Sequence, residues 1–194
     1  MSRILGTKRH PTKLGLAVTI VVFLVTFANN AGYFDRFKQE AVTVEPGLYT
    51  VTRFIDGDTV SVSMNGHEEK IRLIGVDTPE THKPNTPVQC YGPAAAAYTK
   101  TILTDQKIRL ESDELSTDRD RYDRLLRYIY LADGRNFNEM LIQTGHGFYY
   151  PYFPFTKSKE FSAAQDSARA AHSGVWGNCT PTPTDKGGWL SNNQ

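Results

Sequence analysis

The tightest constraint on the fold is a pair of turn signals lying close together, Asp56-Gly57-Asp58 and Asn65-Gly66, each bordered by runs of alternating apolar residues. Asn-Gly is a strong hairpin signal because both residues tolerate the positive φ of a tight turn. Val51, Phe54 and Ile55 precede the first turn, and Val60 and Val62 lie between the two. Ile71, Leu73, Ile74 and Val76 follow the second. This spacing predicts three strands in a meander ahead of any helix.

The segment from Asp77 to Tyr91 contains Pro79, Pro84 and Pro87 and few apolar residues. It reads as a long loop, a kind of connection that often carries function. Gly92-Pro93 then opens an alanine-rich stretch reaching Leu103, the first predicted helix, because proline suits the first helical turn and alanine favours continuation. Ile108-Arg109-Leu110 and Leu125 to Leu131 read as strands on either side of a charged, solvated excursion from Glu111 to Arg124. Phe137, Met140 and Leu141 have the spacing of a short amphipathic helix ending at Gly145. Phe161, Ala164, Ala168 and Ala171 mark a third helix stopped by Gly174. The result is an α+β domain of five strands and three helices. A five-stranded OB-type barrel with Greek-key connections is the natural way to protect the edges of such short strands.

The N-terminus has a different character. Arg3, Lys8, Arg9 and Lys13 are followed by an uncharged, mostly apolar run from Leu14 to Ala28. The run is nearer in length to the core of a signal peptide than to the ~20 residues of a spanning helix. Asn29 to Phe34 extend it without charge, so a cleaved signal and an uncleaved membrane anchor both stay open. Either one exports the domain and leaves the basic residues cytoplasmic. The predicted organisation is 1–34 signal peptide or anchor, 35–47 linker, 48–177 folded domain, and 178–194 a Pro-, Thr-, Gly- and Asn-rich disordered tail. The whole chain has 22 basic and 21 acidic residues, so removing the four basic residues of the leader leaves the remainder net negative. Attraction to a polyanion must therefore come from a local cluster rather than from overall charge.

Several residues within the domain are chemically suggestive. Asp58 follows the first turn, Asp77 begins Asp77-Thr78-Pro79-Glu80, and Arg72 lies on the strand between them. Carboxylates at the ends of neighbouring strands can converge on one hard cation, and with only two side-chain ligands the ion keeps positions for water and substrate. Arginine suits the counter-role because its planar fork donates two hydrogen bonds to phosphate and stays protonated. Taken singly, each motif has an ordinary reading as a turn, a loop bend or a solvated surface.

The ordered set is more specific: Asp56-Gly57-Asp58-Thr59, Ile71-Arg72-Leu73, Val76-Asp77-Thr78-Pro79-Glu80-Thr81, Tyr91-Gly92-Pro93, Asp120-Arg121-Tyr122-Asp123-Arg124 and Asn138-Glu139. From about Val51 to Trp176 this set resembles the staphylococcal nuclease (thermonuclease) family, an OB-fold barrel with three helices. The resemblance implies a calcium-dependent phosphodiesterase acting on DNA and RNA. It implies that Asp58, Asp77 and the carbonyl of Thr78 hold Ca2+, and that Glu80 orients or deprotonates the attacking water. Arg72 and Arg124 then stabilise phosphate charge, and Tyr122 contacts substrate, with Arg121 and Lys83 as further phosphate contacts. Two aspartates and a carbonyl would also satisfy magnesium, so the choice of calcium rests on the likeness. The alternative is a nucleic-acid-binding or scaffold protein that keeps the fold without catalysis. Such domains usually lose one or more of the catalytic carboxylates and arginines, and Asp58, Asp77, Glu80, Arg72 and Arg124 are all present here.

Two departures stand out. Asp123 occupies a position where the family commonly has glycine, and a carboxylate there either pairs with Arg124 or lowers affinity for a phosphate dianion. The aromatic run Phe148 to Phe155 represents the family's nucleotide platform, with Tyr150 or Tyr152 the expected base-stacking residue and a core aromatic cluster the alternative for each member. Two cysteines in an exported domain predict one disulfide, Cys90 to Cys179, with two free thiols as the alternative. The five histidines show no pair at metal-ligand spacing, which argues against a zinc site. A monomer is the default expectation.

Overall fold

The computed structural model describes residues 47–81 and 87–193. The predicted leader and nearly all of the predicted linker fall outside these residues, as does Lys83.

Strands β1 (Tyr49–Phe54), β2 (Thr59–Met64) and β3 (His67–Leu73) form the antiparallel meander expected from the two turns. Asn65 and Gly66 both take positive φ, the geometry that made this dipeptide a hairpin signal. The chain then passes through the two-residue strand β4 (Val76–Asp77) and helix α1 (Gly92–Leu103) to β5 (Lys107–Glu111) and β6 (Leu125–Tyr130). The barrel order is β1-β2-β3-β6-β5. It closes where Tyr49 and Thr50 pair with Ile108 and Lys107, and β3 and β6 run parallel. This five-stranded closed barrel with helices is the predicted OB-type α+β architecture. Val60, Val62, Ile71, Leu73, Ile108 and Ile129 fill it and are all essentially inaccessible.

Helices α2 (Phe137–Gln143) and α3 (Ser158–Ala170) bury Phe137, Leu141, Ile142 and Phe161 against the same core. Asn138 joins α2 to the barrel: its Oδ1 accepts from the Ile129 amide at 2.9 Å and its Nδ2 donates to the Ile74 carbonyl at 2.9 Å. The two-residue strand β7 (Phe148–Tyr149) pairs with β4, setting Asp77 opposite Phe148. The region from Glu111 to Arg124 is more firmly anchored than a solvated excursion. Buried Asp113 accepts hydrogen bonds from the Tyr128 hydroxyl at 2.7 Å, the Thr156 amide at 2.9 Å and the Thr156 hydroxyl.

Residues beyond Asn178 differ from the predicted disordered tail. After the short helix α4 (Val175–Asn178), β8 (Thr182–Pro183) and β9 (Trp189–Leu190) pair with each other. The Trp189 ring meets Trp176 edge-on at 5.0 Å, and the Arg169 guanidinium lies 4.4 Å from its centroid. The polar composition suggested disorder, but a half-buried aromatic and cation–π contact offsets the entropy of ordering so short a segment. Cys90 and Cys179 are joined by a disulfide, as predicted.

Candidate active site

Strand register brings the first carboxylate and the first arginine together. Thr59 is opposite Arg72 across β2 and β3, and the Asp58 carbonyl accepts from the Leu73 amide at 3.0 Å. Asp58 is therefore fixed at the mouth of the barrel beside the end of β3. The turn before it depends on Gly57, where an added Cβ would lie 2.7 Å from the Thr78 hydroxyl. Only glycine lets the β1–β2 turn approach the Thr78 segment so closely.

Arg72 is 12% exposed and its donors are heavily used. Nη1 donates to the carbonyls of Leu73 at 2.8 Å and Val76 at 2.6 Å, and Nη2 to Asp77 Oδ1 at 3.0 Å. The same Nη2 lies 3.2 Å from Asp58 Oδ2. Both predicted metal-binding carboxylates thus meet at one nitrogen. Asp58 Oδ2 also accepts from the Thr78 amide at 2.9 Å, which places the Thr78 backbone beside this group. Burial opposes the charge on Arg72, but Asp58, Asp77 and Asp56 outweigh it and hold its pKa above the ordinary arginine value.

Arg124 is connected to this group through a residue that the sequence reading did not single out. Its Nη1 lies 3.4 Å from Thr59 Oγ1, and that hydroxyl donates to Asp58 Oδ1 at 3.0 Å. Its other donors are held by Asp120: Nε donates to Oδ2 at 2.7 Å, and Nη2 lies 2.6 Å from the same oxygen. The predicted pairing of Asp123 with Arg124 is absent. Asp123 Oδ1 instead lies 3.6 Å from Arg119 Nε. Tyr122 is 63% exposed, with the Arg124 guanidinium 5.3 Å from its ring and Arg121 donating to its hydroxyl at 2.7 Å.

Glu80 has its carboxylate on the Thr81 amide at 2.9 Å. The aromatic run divides by environment. Phe148 and Phe155 are buried, and Tyr149 bonds Ser158. The Tyr150 ring lies 5.8 Å from the Arg72 guanidinium, and the Tyr152 ring is 4.6 Å from that of Tyr150. Both expected stacking candidates thus stand at the Arg72 end of the run, Tyr150 nearer and Tyr152 tied to Thr184 through its hydroxyl.

Asp56 was read only as part of a turn. Burial, followed by the adjacent Asp58 charge, pushes its carboxyl up to about 7. Asp56, Asp58 and Asp77 thus gather around the single guanidinium of Arg72, and clustered oxygen donors suit a hard cation. Among the described residues no set of three or more His, Cys, Asp or Glu side chains is arranged around a metal position. The two carboxylates gathered at Arg72 are the kind of oxygen donor that a hard cation takes.

The sequence has known counterparts. The family described as "Staphylococcal nuclease homologue" matches residues 70–178. The chain belongs to the staphylococcal nuclease family. Within that family it is similar to the "Thermonuclease" of Staphylococcus intermedius, 47% identical over 130 residues that cover 67% of this chain and 74% of the relative. The "Thermonuclease" of Staphylococcus hyicus is 40% identical over 176 residues, covering 88% and 99%. The "Endonuclease YncB" of Bacillus subtilis strain 168 is 40% identical over 129 residues, covering 66% and 60%. Membership of the staphylococcal nuclease family makes the chain a nuclease, a hydrolase of phosphodiester bonds, with nucleic acid as its substrate.

Proposed function

We propose that this nuclease is an exported, calcium-dependent endonuclease cutting both DNA and RNA. The observation that carries the reading is the meeting of Asp58 and Asp77 at Arg72 Nη2, with Arg124 joined to Asp58 through Thr59. Export rests on the basic and apolar leader.

Asp58 and Asp77, with the Thr78 carbonyl, would hold Ca2+, which when bound supplies positive charge beside the phosphate. Glu80 positions a water and accepts its proton as the water oxygen attacks phosphorus. Arg72 and Arg124 donate to the non-bridging oxygens as negative charge gathers on the pentacoordinate phosphorus, and the bond to the leaving oxygen breaks. Tyr122 and Arg121 sit at the exposed edge where a neighbouring nucleotide would lie, with Lys83 a further phosphate contact. Tyr150 and Tyr152 offer ring faces to a base, a contact worth ~1–3 kcal/mol.

Digestion of DNA and RNA by the purified protein with calcium, with magnesium and with chelator tests this reading. Calcium is expected to restore cleavage after chelation, and Glu80→Gln or Arg124→Ala to lower kcat by about a hundredfold or more. Cleavage that persists in chelator, or survives either substitution undiminished, would refute the assignment.

A further inference from the structure

Residues 179–193 form a strap that lies against the main chain at Gln89 and Cys90. The Cys90 amide donates to the Asn192 carbonyl at 2.7 Å, and the Ser191 hydroxyl donates to the Cys90 carbonyl at 2.7 Å. Gln89 and Asn193 form an antiparallel bridge, and the Cys90–Cys179 disulfide closes the same junction covalently. The Thr180 amide donates to Asn192 Oδ1 at 3.0 Å, which binds the strap's two ends to each other.

From its other side, Gln89 holds Glu80. The Glu80 amide donates to Gln89 Oε1 at 2.8 Å, and the Gln89 amide donates back to the Glu80 carbonyl at 2.9 Å. The start of α1 encloses the same point: the Gly92 amide donates to the Gln89 carbonyl at 3.0 Å, and a Cβ on Gly92 would fall 2.8 Å from the Glu80 carbonyl oxygen. The Glu80 backbone is thus set by Gln89 and Gly92, and Gln89 is set by the strap.

We propose that the strap is a positioning element for Glu80 and that Gln89 is the positioning residue through which it acts. This rests on the reading of Glu80 as the residue that handles the attacking water. The Glu80 carboxylate is bonded to its immediate neighbour Thr81, so the carboxylate travels with the local backbone. A shift of about 1 Å at such a group costs up to roughly a hundredfold in rate while leaving substrate binding little altered. The barrel itself is closed by strand pairing that involves neither Gln89 nor the strap.

The test compares the full chain with Gln89→Ala, Gln89→Glu and Cys90→Ser/Cys179→Ser. DNA cleavage is measured in calcium, and backbone amide exchange is measured without metal. Gln89→Ala is expected to lower kcat by about ten- to a hundredfold with KM within about twofold. Gln89→Glu keeps an oxygen to accept the Glu80 amide and should recover most of the rate. In the double cysteine variant, kcat should fall and the amides of residues 89 and 90 should lose more protection than those of the barrel residues Ile71 and Ile129, whose loss is limited to the drop in global stability. An unchanged kcat in Gln89→Ala, an equal loss in Gln89→Ala and Gln89→Glu, or unaltered exchange at residue 89 in the cysteine variant would overturn the proposal. If the parent chain fails to cleave, the role of Glu80 fails and the catalytic part of the proposal with it. The exchange result then separately supports or overturns the mechanical link from strap to Gln89.

Discussion

Arg124 takes its orientation from Asp120, four residues earlier, while its immediate neighbour turns away. Asp123 has φ 62°, a left-handed conformation that aspartate tolerates better than most side chains and glycine better still. That backbone requirement gives a physical reason for glycine at this position. The Asp123 side chain is 87% exposed beside Arg119, so its charge is largely screened from Arg124. Asp123→Gly is therefore expected to leave the cleavage rate within about twofold. Asp120→Asn, which removes the charge holding both Nε and Nη2 of Arg124, should lower kcat by about tenfold or more. Equal effects of the two substitutions in steady-state assays would show that local charge, not orientation, governs Arg124. Asp58, Arg72 and Asp77 were legible in sequence because their motifs follow one another in an order that resembles a known family, whereas each motif alone reads as a turn or a surface residue. Thr59, Gln89 and Asp120 were not. Thr59 meets Arg124 across 65 positions, and no local pattern marks a threonine for that.

At the level of elements, the segment between β5 and β6 illustrates how one buried carboxylate secures a long charged connection. Burial pushes the Asp113 pKa up, but hydrogen bonds from Thr156, Tyr128 and Leu115 outweigh it and leave the carboxyl below its ordinary value. The sign follows from linkage. A carboxylate depressed in the folded state contributes stability above its unfolded pKa of about 3.9 and loses it as pH falls through the folded value. Asp113→Asn should thus destabilise the domain by about 2–3 kcal/mol at neutral pH. The difference from the parent should shrink in urea titrations carried below about pH 4. A penalty constant through that range would exclude the charge as its source. The five barrel strands and three helices were readable because apolar residues recur along the strands and on one face of two helices, while Pro93 and the alanines after it mark the remaining one. The pairs β4–β7 and β8–β9 were not, since two residues carry no periodicity and their pairing is set by distant partners.

For the molecule as a whole, the disulfide encloses everything from α1 to α4, with its ends 89 positions apart. A loop of that length restricts the unfolded chain substantially, and the Cys90→Ser/Cys179→Ser variant should be less stable by about 2–4 kcal/mol. Denaturant unfolding would register this as a lower midpoint, and an unchanged midpoint would mean that the bridge does not restrain the unfolded chain. The cysteine pair was visible in sequence by counting, whereas the packing of residues 179–193 was hidden by their polar composition. Trp189 was the one large aromatic in that stretch, and its partner Trp176 lies in a different element.

The order of residues along the chain adds a consequence in time. Every barrel strand and each of the helices precedes the strap, so during synthesis the strap emerges after all of them. The barrel core and the Asp58–Arg72–Asp77 cluster can assemble from residues already made, whereas the contacts at Gln89 and Cys90 must wait for Cys179 and Asn192. The fastening next to Glu80 thus depends on the last residues made, and no shorter product of synthesis can carry it.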